Sequence, residues 1–241
     1  MEETLVKQPP FDLFGPAHIA AIVLTFVVAF VFSKLGRKKL HPVGSGTHWW
    51  EWTMAVALVA TYPFKLVVMQ YFPIAEWEGR LPAHLCDFTA LLAAGCLLMK
   101  RGKAKQRLAE VIYIWGLSGT LQGLLTPAIK ADFPHPEYFR FFLLHSSVVI
   151  VSVYLVWGLD LRPQKGALLR VFGWLQVYMV GAAITNLITG SNYGFLSAPP
   201  PSPSLVDALG PWPWYILGIE AIALVYFTVL IFVAKIGQKQ M

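Results

Sequence analysis

Seven apolar runs, at about 17–35, 50–72, 83–99, 108–126, 138–159, 168–189 and 212–234, alternate with short segments rich in Lys, Arg, Pro and Gly. All but the third reach the ~18 residues a helix needs to cross hydrocarbon at 1.5 Å per residue. The pattern predicts an all-α membrane protein: a seven-transmembrane-helix bundle forming one transmembrane domain over residues 1–241. The connections leave no room for a second domain. Pro63 should kink the second helix just before Lys65. Gly116, Gly119 and Gly123 in the fourth allow a close helix approach. Ser118, Gln122 and Thr126 share a face there, suited to interhelical hydrogen bonds or to a site. The Pro-rich segment about 190–211 and the loop holding Pro127, Pro134 and Pro136 read as connectors or as a partly rigid lid.

The polar residues within these runs change the picture. Lys65, His84, Cys86, Asp87, Gln122, Arg140, His145, Asn186 and Glu220 lie on six different runs yet map to one depth. His145, for example, lies roughly 10 Å along the fifth helix. Each charge costs about 2.5–3.5 kcal/mol in hydrocarbon, so a shared layer reads as one site.

Charge orients the bundle. Fourteen Lys and Arg fall on one side (Lys34, Arg37, Lys38 and Lys39; Lys100, Arg101, Lys103, Lys105 and Arg107; Arg162, Lys165 and Arg170; Lys235 and Lys239). Only Lys7, Arg80, Lys130 and Arg140 fall on the other. The positive-inside rule then places the N-terminus outside and the C-terminus in the cytoplasm, with the polar layer in the outer third. The net charge of +6 thus reflects membrane topology and implies no nucleic acid. At 56% apolar and 13% charged, with mean hydropathy +0.59, the chain departs from soluble composition and predicts a multi-pass protein of the cell membrane. Glu2, Glu3 and Asp12 argue against a cleaved signal peptide. Trp49, Trp50 and Trp52 at one surface, and Tyr71, Phe72, Trp77, Trp212, Trp214 and Tyr215 at the other, read as interfacial anchors.

The candidate chemistry is a thiol and an imidazole. Cys86 and Cys96 lie about 15 Å apart on one helix and cannot pair, so Cys86 should be a free thiol. At 100° per residue, His84 and Asp87 share a face, whereas Cys86 points about 160° away from His84. A base for Cys86 must then come from another helix, and His145 is the other intramembrane histidine. A histidine that accepts the thiol proton would create a thiolate nucleophile. Asp87, Asn186 or Glu220 could orient it. Lys65, Arg140, Gln122 or backbone N–H groups could stabilise an oxyanion. Taken singly, Cys86 could equally be a small core residue and His145 an interhelical hydrogen bond. The phase difference between His84 and Cys86 disfavours a shared metal ion, and no metal or other cofactor is expected.

Six motifs carry a family resemblance: LPAHLCDF (81–88), WGLSGTLQGLLTP (115–127), FPHP (133–136), FFLLH (141–145), SNYGF (191–195) and GPWPWY (210–215). Together they resemble YwaF-type bacterial integral membrane proteins, which are similar to the eukaryotic transmembrane protein 164 family of acyltransferases. The resemblance covers the third to seventh helices, and the first two carry little of it. It implies a cysteine–histidine acyltransferase acting on phospholipid and lysophospholipid without acyl-CoA, with Cys86 and His145 as the catalytic pair. His84, Asp87, Lys65, Gln122, Arg140, Asn186, Asn192, Tyr193 and Glu220 would bind substrate or support the site. Polyunsaturated ether lipids are the eukaryotic members' products. The alternative from the residues alone is a transporter or small-molecule binding protein that uses the polar layer for an anionic ligand. A sensor would need a partner for output, because the basic side offers only short loops.

Overall fold

The computed structural model describes residues 10–38, 47–71, 80–200 and 205–236. Among the described residues, seven long helices follow the apolar runs: α1 (Pro16–Lys38), α2 (Trp49–Tyr71), α3 (Leu85–Leu98), α4 (Lys103–Leu125), α5 (Pro136–Gly158), α6 (Ala167–Thr189) and α7 (Trp214–Val233). All but α3 are long and apolar enough to cross a membrane, and α3 has 14 residues. α2 continues through Pro63. Among the described residues the β-structure is one isolated bridge, Pro10 to Ala131.

Hydrogen bonds define the two ends of the bundle. At one end, the Tyr138 hydroxyl donates to the Ala17 carbonyl and His18 Nε2 donates to the Leu124 carbonyl, so the starts of α1 and α5 meet the finish of α4. At the other, Arg37 donates to the Trp157 carbonyl, Arg101 to Leu159 and Arg162 to Ala234. This basic end gathers the described cations of the connections α1–α2, α3–α4 and α5–α6.

The centre is built from α4 and α5, whose apolar stretches are mostly buried, whereas that of α7 is almost wholly exposed. Lipid is as apolar as leucine, so helices associate here through close contact and polar pairing. On α3 the buried face is Ala90, Ala93, Ala94, Cys96 and Leu97, mostly small side chains that let α2 and α5 approach. Glu110 on α4 accepts from Arg107, Arg170 and the Gln164 amide, tying α4 to α6 and to the α5–α6 connection.

Several residues are placed differently from expectation. Lys105, read as one of the basic residues of a connecting loop, is buried on α4, and its Nζ donates to the Leu97 and Met99 carbonyls at 3.1 Å. It thereby satisfies the open carbonyls at the end of α3. Trp50 and Tyr215, expected as interfacial anchors, are buried; Trp50 Nε1 donates to the Tyr154 hydroxyl and Tyr215 donates to the Phe195 carbonyl. Trp49, Trp52, Tyr71, Trp212 and Trp214 are exposed as expected. Phe72, Trp77, Pro201 and Pro203 lie outside the described residues, as do Glu2, Glu3, Lys7, Lys39 and Lys239.

Candidate functional site

α3 begins later than its apolar run. His84 caps the helix with extended backbone (φ −68°, ψ 150°) and makes no side-chain capping bond. Cys86 is therefore the second residue of the helix. The first intrahelical bond at this end runs from Phe88 N to His84 O, so the Leu85, Cys86 and Asp87 amides have no carbonyl acceptor within the helix, and those of Cys86 and Asp87 face the Cys86 sulfur instead. Such amides, with the helix dipole behind them, favour negative charge. Cys86 is half-buried and free, and Cys96 is also free but fully buried. The Cys96 thiol faces the Lys105 carbonyl at 3.7 Å.

Asp87 is the hub of the charged layer. Its carboxylate pairs with Lys65 at 2.9 Å, both side chains being buried. It interacts electrostatically with His84, Cys86 and His145. Arg140 interacts with both histidines, and Lys65 with His84 and Cys86. The structure thus brings six sequence-predicted residues into one electrostatic cluster: Lys65, His84, Cys86, Asp87, Arg140 and His145. Arg140 Nε is buried and has no hydrogen-bond partner among the described residues.

His145 is held in one orientation. Its Nδ1 lies 2.8 Å from the Phe141 carbonyl, which can only accept, so Nδ1 carries the proton. Its ring stacks on Phe141 at 3.9 Å. Nε2 is left as the basic nitrogen and faces Gly123 on α4, where a Cβ would stand 2.8 Å from it. One turn back, a Cβ on Gly119 would touch Leu85 Cδ2 at 3.1 Å. The first turn of α3 and the His145 imidazole therefore pack against glycines one turn apart on α4, about 6 Å along its axis. Gly119 itself lies in a π-turn, Gly116–Thr120, where the helix widens, a local expansion often found at functional sites. No hydrogen bond joins the Cys86 thiol to His145 among the described residues.

The remaining candidates divide. Asn186 holds the loop after α6: its amide donates to the Tyr193 carbonyl at 3.0 Å and its oxygen accepts from the Tyr193 N–H at 2.7 Å. The Tyr193 hydroxyl accepts from the Leu81 amide at 3.0 Å, and its ring meets the His84 ring edge-on at 5.0 Å. Burial pushes the Tyr193 phenol above its ordinary range, so it stays neutral. Asn192 organises the same loop through Ser197 and Ala198. Gln122 is exposed and bonds Thr126 on its own helix, as Ser118 bonds Ile114. Glu220 is half-buried on α7, and no hydrogen bond or ion pair reaches it among the described residues.

Sequence reasoning missed Tyr178. Its hydroxyl donates to the Ala83 carbonyl at 3.0 Å, and its ring packs on Phe88 and Trp115. A tyrosine within an apolar helix carries no signal of its own. The only hint was its position four residues, just over one turn, from Ala182, which with Asn186 continues the buried face of α6.

No curated protein and no solved structure matches the chain. Six apolar helices and a membrane-protein family match make it a multi-pass integral membrane protein. The family model that matches does so over residues 13–231, from just before α1 to the last turn of α7, and on that match the chain belongs to the TMEM164 family.

Proposed function

We propose that this protein is a membrane-embedded cysteine–histidine acyltransferase. It moves fatty acyl chains between phospholipids or lysophospholipids through an acyl-cysteine intermediate. It is a single seven-span domain of the cell membrane with the N-terminus outside, so the charged layer lies beneath the outer headgroups. The observation that carries the reading is the packing of the α3 first turn and of His145 against adjacent glycines of α4, inside one charged cluster.

In this mechanism His145 Nε2 takes the Cys86 proton, with Nδ1 anchored on Phe141. The thiolate attacks the ester carbonyl carbon of a phospholipid that enters laterally. Negative charge on the carbonyl oxygen is met by the first-turn amides of α3. Arg140, with its unpartnered Nε, binds the lipid phosphate or this oxyanion. The tetrahedral centre collapses, the ester C–O bond breaks, and His145 returns the proton to the departing lysophospholipid oxygen. A second lysophospholipid hydroxyl then attacks the thioester, with His145 again as base, and the thiol is restored. One ester is exchanged for another, so no nucleotide is consumed. The loop held by Asn186 and Tyr193 limits water and favours transfer over hydrolysis.

The test is intact-mass analysis of purified protein in phospholipid nanodiscs, followed by peptide mapping. A hydroxylamine-sensitive acyl group on Cys86, absent in Cys86→Ala and slow to form in His145→Gln, is expected. An adduct on Cys96, or acyl transfer that survives Cys86→Ala, rejects the assignment. The buried Lys65–Asp87 pair beside Arg140 also suits a binding or transport site for an anionic solute. Solute flux into proteoliposomes undiminished by Cys86→Ala would favour that reading.

A further inference from the structure

A groove of about 390 Å³ lies between α1 and α5, lined by residues of the basic end of both helices, away from the Cys86 cluster. Phe26, Phe30 and Trp157 form its apolar wall, and Ser33, Lys34 and Arg37 line the rest of it.

Ser33 is the first anomaly. It is 7% exposed, and its Oγ has no hydrogen-bond partner among the described residues. Many hydroxyls in these helices donate to the carbonyl four residues back, as Thr25 does to Ala21, Ser152 to Val148 and Thr228 to Leu224; Thr120, in the π-turn of α4, shares the lack of a partner with Ser33. Ser33 forgoes that bond. A buried hydroxyl without a partner loses about 1–3 kcal/mol, and here it sits where an incoming polar group could meet it.

The cations beside it are arranged rather than diffuse. Arg37 is fixed by its Nε, which donates to the Trp157 carbonyl at 2.6 Å. That leaves its two terminal nitrogens without a hydrogen bond among the described residues. Lys34 lies over the Phe30 ring at 5.2 Å. The two are three residues apart, on one face of α1. A guanidinium with its terminal nitrogens open, an ammonium and a hydroxyl donor together match a phosphodiester. The aromatic wall matches the acyl chain such a headgroup would bring.

We infer that this groove binds an anionic phospholipid of the leaflet at the basic end. Its phosphate rests on Lys34, Arg37 and the Ser33 hydroxyl, and an acyl chain lies along Phe26, Phe30 and Trp157. The site is separate from the acyl-transfer centre and holds whether or not Cys86 carries acyl groups. It gives the basic end a specific lipid contact beyond general attraction to an anionic surface.

The test is native mass spectrometry of the full chain released from nanodiscs of equal phosphatidylglycerol and phosphatidylcholine. The wild type should retain phosphatidylglycerol preferentially. Retention should fall about tenfold in Lys34→Gln/Arg37→Gln and several-fold in Ser33→Ala, with no change in Lys235→Gln at the same end. Should the double variant fail to fold, the wild type at raised ionic strength serves instead, and its preference should narrow. Equal retention of the two lipids, an unchanged double variant, a preference insensitive to salt, or an equal loss in Lys235→Gln overturns the proposal. Inorganic phosphate titrated against the phosphatidylglycerol adduct separates lipid from free oxyanion. It should leave the adduct in place, and displacement by phosphate alone overturns the lipid assignment.

Discussion

An ammonium and a carboxylate 2.9 Å apart in the buried layer are each intolerable there without the other. The Lys65–Asp87 pair therefore fixes where α2 meets α3. Lys65→Met leaves the Asp87 carboxylate buried and alone. The expected loss is about 3–5 kcal/mol of stability, read by denaturation in detergent, with most of it recovered in Lys65→Met/Asp87→Leu. A loss no larger in the single variant than in the double would show that the pair carries no net weight. Gly123 is the more pointed residue. A methyl there meets both Cδ2 and Nε2 of His145 at 2.8 Å, and the ring is already held by stacking on Phe141 and by the Phe141 carbonyl. Gly123→Ala should cost about 1–3 kcal/mol and should slow acyl-adduct formation well beyond that loss. Gly119→Ala meets only the flexible end of Leu85 and should be milder in both readouts. Equal effects from the two would remove the special standing of His145.

At the level of elements, helices were legible because hydrocarbon demands long apolar runs, and their order follows from short connections. Their ends were not, because the ends are set by polar groups that satisfy backbone. α4 starts at Lys103 rather than near 108 because the Lys105 side chain turns back to the α3 carbonyls. α3 starts at Leu85, which places Cys86 in a first turn, a fact that hydropathy alone could not supply. The π-turn in α4 has no sequence period to announce it. Lys65, Asp87, Arg140 and both histidines were legible because burial in lipid makes charge conspicuous. Gln122 is neutral and faces outward, bonded to the nearby Thr126. Asn186 was found for the wrong reason: it holds the loop rather than the imidazole. In Asn186→Leu, the Tyr193 N–H and carbonyl lose their partners, about 1–3 kcal/mol each. The loop from Ser191 to Ala198 should then become open to protease while the helices stay intact. If transfer is the native reaction, acyl hydrolysis should rise relative to it, measured as free fatty acid against acylated lysophospholipid. An unchanged ratio in a variant with a cleavable loop would mean that the loop does not exclude water.

The whole molecule carries an asymmetry that one experiment can read. Its basic end gathers Lys34, Arg37, Arg101, Arg162 and Arg170, and the opposite end among the described residues offers Arg80, Lys130 and Arg140. Positive residues resist translocation, so the basic end should face the cytoplasm. That orientation puts the Cys86 cluster under the outer headgroups and the Ser33 groove in the inner leaflet, where anionic lipid concentrates. The two lipid sites proposed for this chain then sit in different leaflets, and lipid bound at one cannot simply slide to the other. Ala198 and Lys165 are both exposed, the first on the loop over the cluster and the second at the basic end. In a background with Cys86→Ser and Cys96→Ser, Ala198→Cys should react with an impermeant thiol reagent in intact cells. Lys165→Cys should react only after permeabilisation. Arg101, just past α3, donates to the Leu159 carbonyl at the basic end, where Arg37 also meets Trp157, so the directions of the helices relative to one another are fixed and only the bundle as a whole can face one way or the other. A reagent that reached Lys165→Cys and spared Ala198→Cys would mean that the basic end faces outside. The reversed pattern would place the α6–α7 loop on the cytoplasmic side, with no route from outer-leaflet phospholipid to the thiol.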